Sequence, residues 1–185
     1  NISIANPMNT LVAHAARLSS LFVNKPATLA LGVTLPLLLG VGVPAFAQTN
    51  DDCGGAIALT NSTAYTMPTI NATRSAEAAP CSGNYDKDVW FTYTPTASED
   101  VVVSTCSSDC SFDTTLTIFD GCNGNELGGA CNDNNCPGVP GNCGLLSKIT
   151  VPMLAGVTYW IRVSGVDGAT GTFDLTVTGG KGTCN

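Results

Sequence analysis

From Asp88 onward, apolar and polar residues take turns along the chain. Val89, Phe91 and Tyr93 alternate with Trp90, Thr92 and Thr94 until Pro95 ends the run, which is the two-residue period of a strand with one buried face. A β-branched run follows at residues 101–105. Leu116 and Ile118 then alternate with Thr115 and Thr117 inside a strand expected at 113–119, and Ile149 and Val151 flank Thr150. Val157, Tyr159, Ile161 and Val163 alternate with Thr158, Trp160, Arg162 and Ser164, and Phe173, Leu175 and Val177 with Thr172, Asp174, Thr176 and Thr178. Aliphatic and aromatic residues inside with threonine outside is the pattern of an antiparallel sandwich. Weaker runs at 56–60, 64–70 and 127–132 bring the count to about eight or nine strands, at roughly the 8–12-residue spacing of sandwiches and jelly rolls. No long helical period interrupts them. The expectation is an all-β, antiparallel jelly-roll-like β-sandwich.

Before these strands the pattern is different. Residues 8–47 read as a signal peptide: His14, Arg17 and Lys25 give a basic lead-in, 29–43 is apolar, and Ala45-Phe46-Ala47 offers a small-x-small cleavage pattern before Gln48. The apolar 27–47 is almost long enough to span a bilayer as an anchor, but Gly32, Pro36, Gly40, Gly42 and Pro44 disfavour a stable spanning helix. Residues 1–7 have no structural role assigned. The domain is placed at 48–178, with a glycine-containing linker at 179–185.

Composition supports this division. Hydrophobic residues make up 44% of the 185 and charged residues only 11%, too few for solvated helices and well suited to strands. Without the leader, five basic residues (Arg74, Lys87, Lys148, Arg162 and Lys181) face fourteen acidic ones, a formal charge of −9. Such a domain repels phosphate backbones and anionic lipid, which argues against nucleic-acid binding and membrane insertion of the mature domain and favours cations.

Nine cysteines point to an oxidising compartment and a secreted or cell-surface location. Six lie between Cys106 and Cys143, a Gly- and Asn-rich stretch with too little apolar surface to hold itself. Eight are expected in disulfides: Cys53, Cys81, Cys106, Cys110, Cys122, Cys131, Cys136 and Cys143. Cys184 is left as the unpaired one. Cys53 and Cys81 flank the same opening hairpin and are the expected first pair. A hairpin of the fifth and sixth strands would gather Cys106, Cys110, Cys131, Cys136 and Cys143 at one end, with Cys122 near its turn. Zinc held by thiolates at Cys106-x3-Cys110 and Cys131-x4-Cys136 is the rival assignment.

The same hairpin brings Asp113 opposite Asn132, Asp133 and Asn134. Together they form a candidate calcium site, since calcium takes oxygens from carboxylates, amides and carbonyls; the alternative is that these residues close turns on their own backbone. Asn50-Asp51-Asp52 is a second, weaker cation candidate. Trp90 and Trp160 fall on the outward parity of their strands, where paired indoles stack on sugar rings or a collagen-like ligand, unless a covering loop buries them. Catalysis has little to work with. The only histidine, His14, lies in the leader, which removes Ser-His-Asp, Cys-His and His-zinc chemistry. Glu77, Glu99 and Glu126 sit in connections with no sign of a shared cleft.

In their order, Asp88-Val89-Trp90-Phe91-Thr92-Tyr93, Val103-Ser104-Thr105-Cys106, Phe112-Asp113-Thr114, Asp120-Gly121-Cys122, Cys131-Asn132-Asp133 and Tyr159-Trp160-Ile161-Arg162-Val163, followed by Gly168, Gly171 and Phe173, resemble the bacterial pre-peptidase C-terminal domain family. The resemblance covers residues 51–178. It implies a non-catalytic jelly-roll module, appended to secreted peptidases or built into multidomain surface proteins, and in collagenases able to bind collagen and calcium. Extra cysteines, notably Cys110 and Cys136, depart from that pattern, and these 185 residues hold no peptidase sequence of their own. The expected function is therefore a secreted, non-catalytic module for extracellular binding, adhesion or peptidase appendage. The alternatives are a carbohydrate- or collagen-binding module using Trp90 and Trp160, and a ligand-free spacer among neighbouring domains of a larger surface protein.

Overall fold

The computed structural model describes residues 48–76, 87–138 and 144–179. The leader, Cys81, Cys143, Cys184 and the linker beyond Gly179 lie outside them. Nine strands are described: β1 (Ile57–Ala58), β2 (Ala64–Pro68), β3 (Asp88–Tyr93), β4 (Glu99–Ser104), β5 (Thr114–Phe119), β6 (Glu126–Asp133), β7 (Lys148–Met153), β8 (Tyr159–Gly165) and β9 (Thr172–Gly179). They form a five-stranded sheet in the order β1-β3-β8-β5-β6 and a four-stranded sheet in the order β2-β9-β4-β7. Every described pairing is antiparallel except the two-residue β1 beside β3. No helix among the described residues is long and apolar enough to cross a membrane.

The core lies between the sheets and is built from the expected parity. Val89, Phe91 and Tyr93 face Val101, Val103, Leu116, Ile118, Ile149, Ile161, Val163, Phe173, Leu175 and Val177 in one buried cluster. Phe91 meets Phe173 edge-on at 6.2 Å between ring centroids, a favoured aromatic geometry. Val157 departs from expectation. It is exposed in the turn before β8, where its N–H donates to Leu154 O at 3.2 Å, so the strand begins two residues later at Tyr159.

The two sheets treat their outer faces differently. On β9, Phe173, Leu175 and Val177 are buried while Thr178 is exposed, and on β7 Lys148, Thr150 and Pro152 point to solvent. By contrast, every residue of β5 is buried, and β3 and β8 are nearly so. Register stacks Asp88, Ser164, Thr115 and Asp133 in one outer row of the five-stranded sheet, and Trp90, Arg162, Thr117 and Cys131 in the next. All but the half-buried Asp133 and Cys131 are buried. The threonines there are covered and hydrogen-bonded; Thr115 and Ser164 hydroxyls meet at 2.6 Å.

At the sheet's far edge, β6 carries a bulge. Between the pairs Thr117↔Cys131 and Phe119↔Glu126, residues 127–130 stand opposite Ile118 alone. Gly129 supplies the left-handed φ of +78° that this detour needs. A bulged edge is a poor template for pairing with another strand.

Candidate functional site

Two places on the five-stranded sheet collect chemistry: its covered outer face, and the end where β5 begins and β6 finishes. On the face, Trp90 is fully buried. Its indole N–H donates to Ser75 Oγ at 2.7 Å, and its ring lies 5.2 Å from that of Phe119. The Arg162 guanidinium sits 5.7 Å from the Trp90 centroid and 5.2 Å from that of Phe119, a buried cation against two π faces. The segment leading into β1 closes over them. Asn50 is buried, donating from Nδ2 to Trp90 O at 3.0 Å, while its own carbonyl accepts from Trp90 N at 2.8 Å. The short 3-10 turn Cys53–Gly55 then lays Cys53 on Trp90 and Phe119.

Cys53 is bridged to Cys122, with 5.3 Å between Cα atoms, in place of the expected pairing with Cys81. The physical reason is the covering segment. It carries Cys53 across the sheet face to the β5–β6 turn. That turn is tight: Asp120 Oδ1 accepts from Asn125 N at 2.7 Å, and a side chain on Gly124 would collide with Asp120 Oδ1 and Gly121 N. The crowded-end expectation holds for Cys106, which is bridged to Cys136 across a Cα separation of 5.5 Å. Cys110 and Cys131 are disulfide-bonded as well, so thiolate zinc has no ligands there.

The outward pair of indoles expected from parity is not formed. Trp90 is sealed by Cys53, Phe119 and the segment above it. Trp160 is half-buried at the open margin of the same cluster, in a row with Thr92 on one side and Phe119 and Glu126 on the other.

At the sheet's end, Asp113 and Asp133 come together as expected. The Asp113 carboxyl is pushed up to about 6, first by burial, then by the neighbouring Asp133 carboxyl and by Asp167. Asp113 Oδ1 is enclosed without a hydrogen-bond donor. Asn132 and Asn134 are not part of this group. Asn132 Oδ1 accepts from Lys148 N at 2.9 Å, fastening β6 to the start of β7, and Asn134 takes a left-handed turn with φ of 70°. Both do the turn and strand-end work that short polar side chains favour. Calcium takes six to eight oxygens, and among the described residues no three acidic, cysteine or histidine side chains lie close enough to hold a metal ion. Asp113 and Asp133 supply carboxylates at this end, while the Asn132 side-chain oxygen is taken up by Lys148 N. The second cation candidate is engaged too: Asp51 accepts from Thr73 N and Oγ1, at 2.5 and 2.6 Å.

Residues 49–177 match the profile of a T9SS-associated family described as Galactose binding domain-like. The chain belongs to this galactose-binding domain-like family. A crystal structure of the pre-peptidase C-terminal domain of collagenase from Bacillus anthracis is similar over 66% of this chain and 94% of that one, at 15% identity and a TM-score of 0.45. No curated protein matches. The resemblance seen in the sequence is met as far as the two-sheet β-sandwich.

In this galactose-binding-like domain, sequence reasoning missed three contributors. Asp167 joins the acidic end from a turn after β8, where its φ is 50°; the Asp167-Gly168 pair was a turn signal. Arg162 looked like an exposed strand cation. Phe119, the last residue of an alternating run, turned out to face the outer cluster.

Proposed function

We propose that this chain is an extracellular, non-catalytic binding module that takes a saccharide or sugar-bearing polymer at Trp160. The observation that carries the reading is the half-buried Trp160 at the margin of the outer cluster. An indole held rigidly on one side and open on the other offers a flat apolar face with an N–H at its rim, the combination that stacks on a sugar ring. Thr92 and Glu126 in the same row supply a hydroxyl and a carboxylate for sugar hydroxyls. Family membership supports a binding role. The T9SS association and the bridges Cys53–Cys122 and Cys106–Cys136 support an extracellular setting.

The test is calorimetric titration with galactose-containing polysaccharides. Trp160→Ala is expected to weaken binding by about tenfold or more, in line with the one to three kcal/mol that stacking contributes when a ring is removed, while Thr150→Ala on the other sheet leaves it unchanged. Binding that is indifferent to Trp160→Ala, or no binding by the parent domain to any such polymer, would replace this reading with that of a ligand-free spacer.

A further inference from the structure

We infer that the Cys53–Cys122 bridge is a redox-sensitive latch, opened by an extracellular dithiol, which uncovers an aromatic strip of Trp90, Phe119 and Trp160 while the sandwich stays folded. Three observations carry this. Cys53 shares one buried cluster with Trp90 and Phe119, and Cys122 packs against that cluster, so the bridge is part of what covers them. The turn it fastens is short and bounded on each side. Asn50 and Asp51 anchor the chain before it through Trp90 and Thr73, and Ile57 pairs with Phe91 after it. Within the turn, Gly55 N donates to Asp52 O at 2.9 Å and Ala56 N to Cys53 O at 3.3 Å, bonds that hold the turn to itself and its flank. Trp90 is also fixed independently of the turn, by Ser75, so its ring stays in place when the cover leaves.

The Cys53–Cys122 and Cys106–Cys136 bridges differ in the chemistry around their sulfurs. Cys122 Sγ has the Asn123 side-chain amide at 3.7 Å as a donor. Cys106 Sγ instead has the carbonyl oxygens of Asn135 and Ser147, each at 3.9 Å. A donor stabilises the Cys122 thiolate that is released when the exchange is completed, and carbonyl oxygens destabilise a thiolate on Cys106, so full reduction favours the first bridge. Cys122 is half-buried and Cys53 buried, so attack begins at Cys122. The dithiol's thiolate bonds to Cys122 Sγ, the disulfide breaks, and Cys53 leaves as a thiolate that takes up a proton. The second thiol of the reductant then attacks its own mixed disulfide and releases Cys122 as a thiolate facing Asn123, which takes up the second proton. Two electrons and two protons pass to the protein, and the reductant ends as a cyclic disulfide.

The experiment uses the full chain carrying Trp160→Phe, which leaves Trp90 as the single tryptophan, treated with dithiothreitol under native conditions. Reduction is followed by differential alkylation and mass spectrometry, Trp90 exposure by acrylamide quenching, and the fold by far-UV circular dichroism. Cys53 and Cys122 are expected to be alkylated about tenfold faster than Cys106 and Cys136, with Trp90 emission shifting to the red, quenching rising, and the dichroism unchanged. The Cys106→Ser/Cys136→Ser chain should keep this response, and the Cys53→Ser/Cys122→Ser chain should show the opened quenching without reductant. Equal alkylation of both bridges, a Trp90 that stays shielded after its bridge is reduced, or quenching that rises only as the dichroism collapses would each overturn the latch. None of these readouts depends on whether Trp160 binds a sugar.

Discussion

The two sheets of this sandwich are written in much the same alphabet and end in different environments. On the four-stranded sheet the outward positions face water, as Thr66, Thr150 and Thr178 do. On the five-stranded sheet the outward positions are sealed, Thr115, Thr117, Ser164 and Arg162 among them. Parity decides which side of a strand a residue takes; it does not decide what lies on that side. The open face works with single cross-strand contacts such as Thr66 Oγ1 to Asp174 Oδ1, at 2.5 Å. The covered face requires every polar group to be matched, because an unmatched buried group costs about 1–3 kcal/mol. It meets most of that demand with hydroxyl pairs, with the cation held against Trp90 and Phe119, and with the segment leading into β1, where Asn50 Oδ1 alone of that side chain's polar atoms is enclosed without a donor.

The comparison breaks most visibly at Trp90. Trp90→Ala removes the largest fully buried side chain of the outer cluster and leaves Ser75 and Arg162 facing a void. It is expected to cost about 3–5 kcal/mol in a denaturant melt. Thr178→Ala, also outward by parity but on the open sheet, should stay within about 0.5 kcal/mol. Equal costs at the two positions would mean that the faces do not differ as described.

Bridges come next in size. Cys106→Ser with Cys136→Ser frees a sequence separation of 30 residues and is expected to lower stability by about 3 kcal/mol through the unfolded chain. Its effect should appear at the end of the sandwich, as faster amide exchange around Asn135, Leu146 and Ser147, with Trp90 shielded throughout. The bridge to Cys53 spans 69 residues, and by chain entropy alone its loss should cost more by about 1 kcal/mol or less.

Much of the inner architecture was legible because burial between two sheets imposes one rule on every strand. Val89, Phe91, Leu116, Ile118, Leu175 and Val177 obey it, and each is in the core. The outer face of the five-stranded sheet was not legible. Its cover comes from Asn50 and Cys53, some forty residues away from Trp90 in sequence, and no local period reports such a contact. The disulfide of Cys53 was misplaced for the same reason: proximity along the chain favoured Cys81, and proximity across the sheet favoured Cys122. The acidic end was half legible. Asp113 and Asp133 flank a hairpin whose register follows from alternation. Asp167 arrives through a tertiary contact, with Val166 N donating to Asp113 O at 3.1 Å.

That end supplies the smallest expected effect, and its sign is specific. Burial and the neighbouring carboxylates raise the Asp113 carboxyl in the folded protein from its ordinary 3.8 to about 6, so the folded state holds this proton more tightly than the unfolded chain does. Stability from this group is then present at pH 4 and below and is lost as pH rises through about 6, the reverse of a salt-bridged carboxylate. Solvent screening at a partly exposed site reduces the full linkage to about 1 kcal/mol. Asp113→Asn mimics the protonated form and keeps a donor toward Asp133. It should therefore leave stability unchanged near pH 4 and raise it by about that amount at pH 7. Melting the two proteins side by side from pH 4 to 8 isolates the group from the other acids. A difference that is flat across this range, or one that favours the native carboxylate at neutral pH, would show that burial and the neighbouring carboxylates do not hold the Asp113 carboxyl up. The covered sheet would then end as openly as its neighbour.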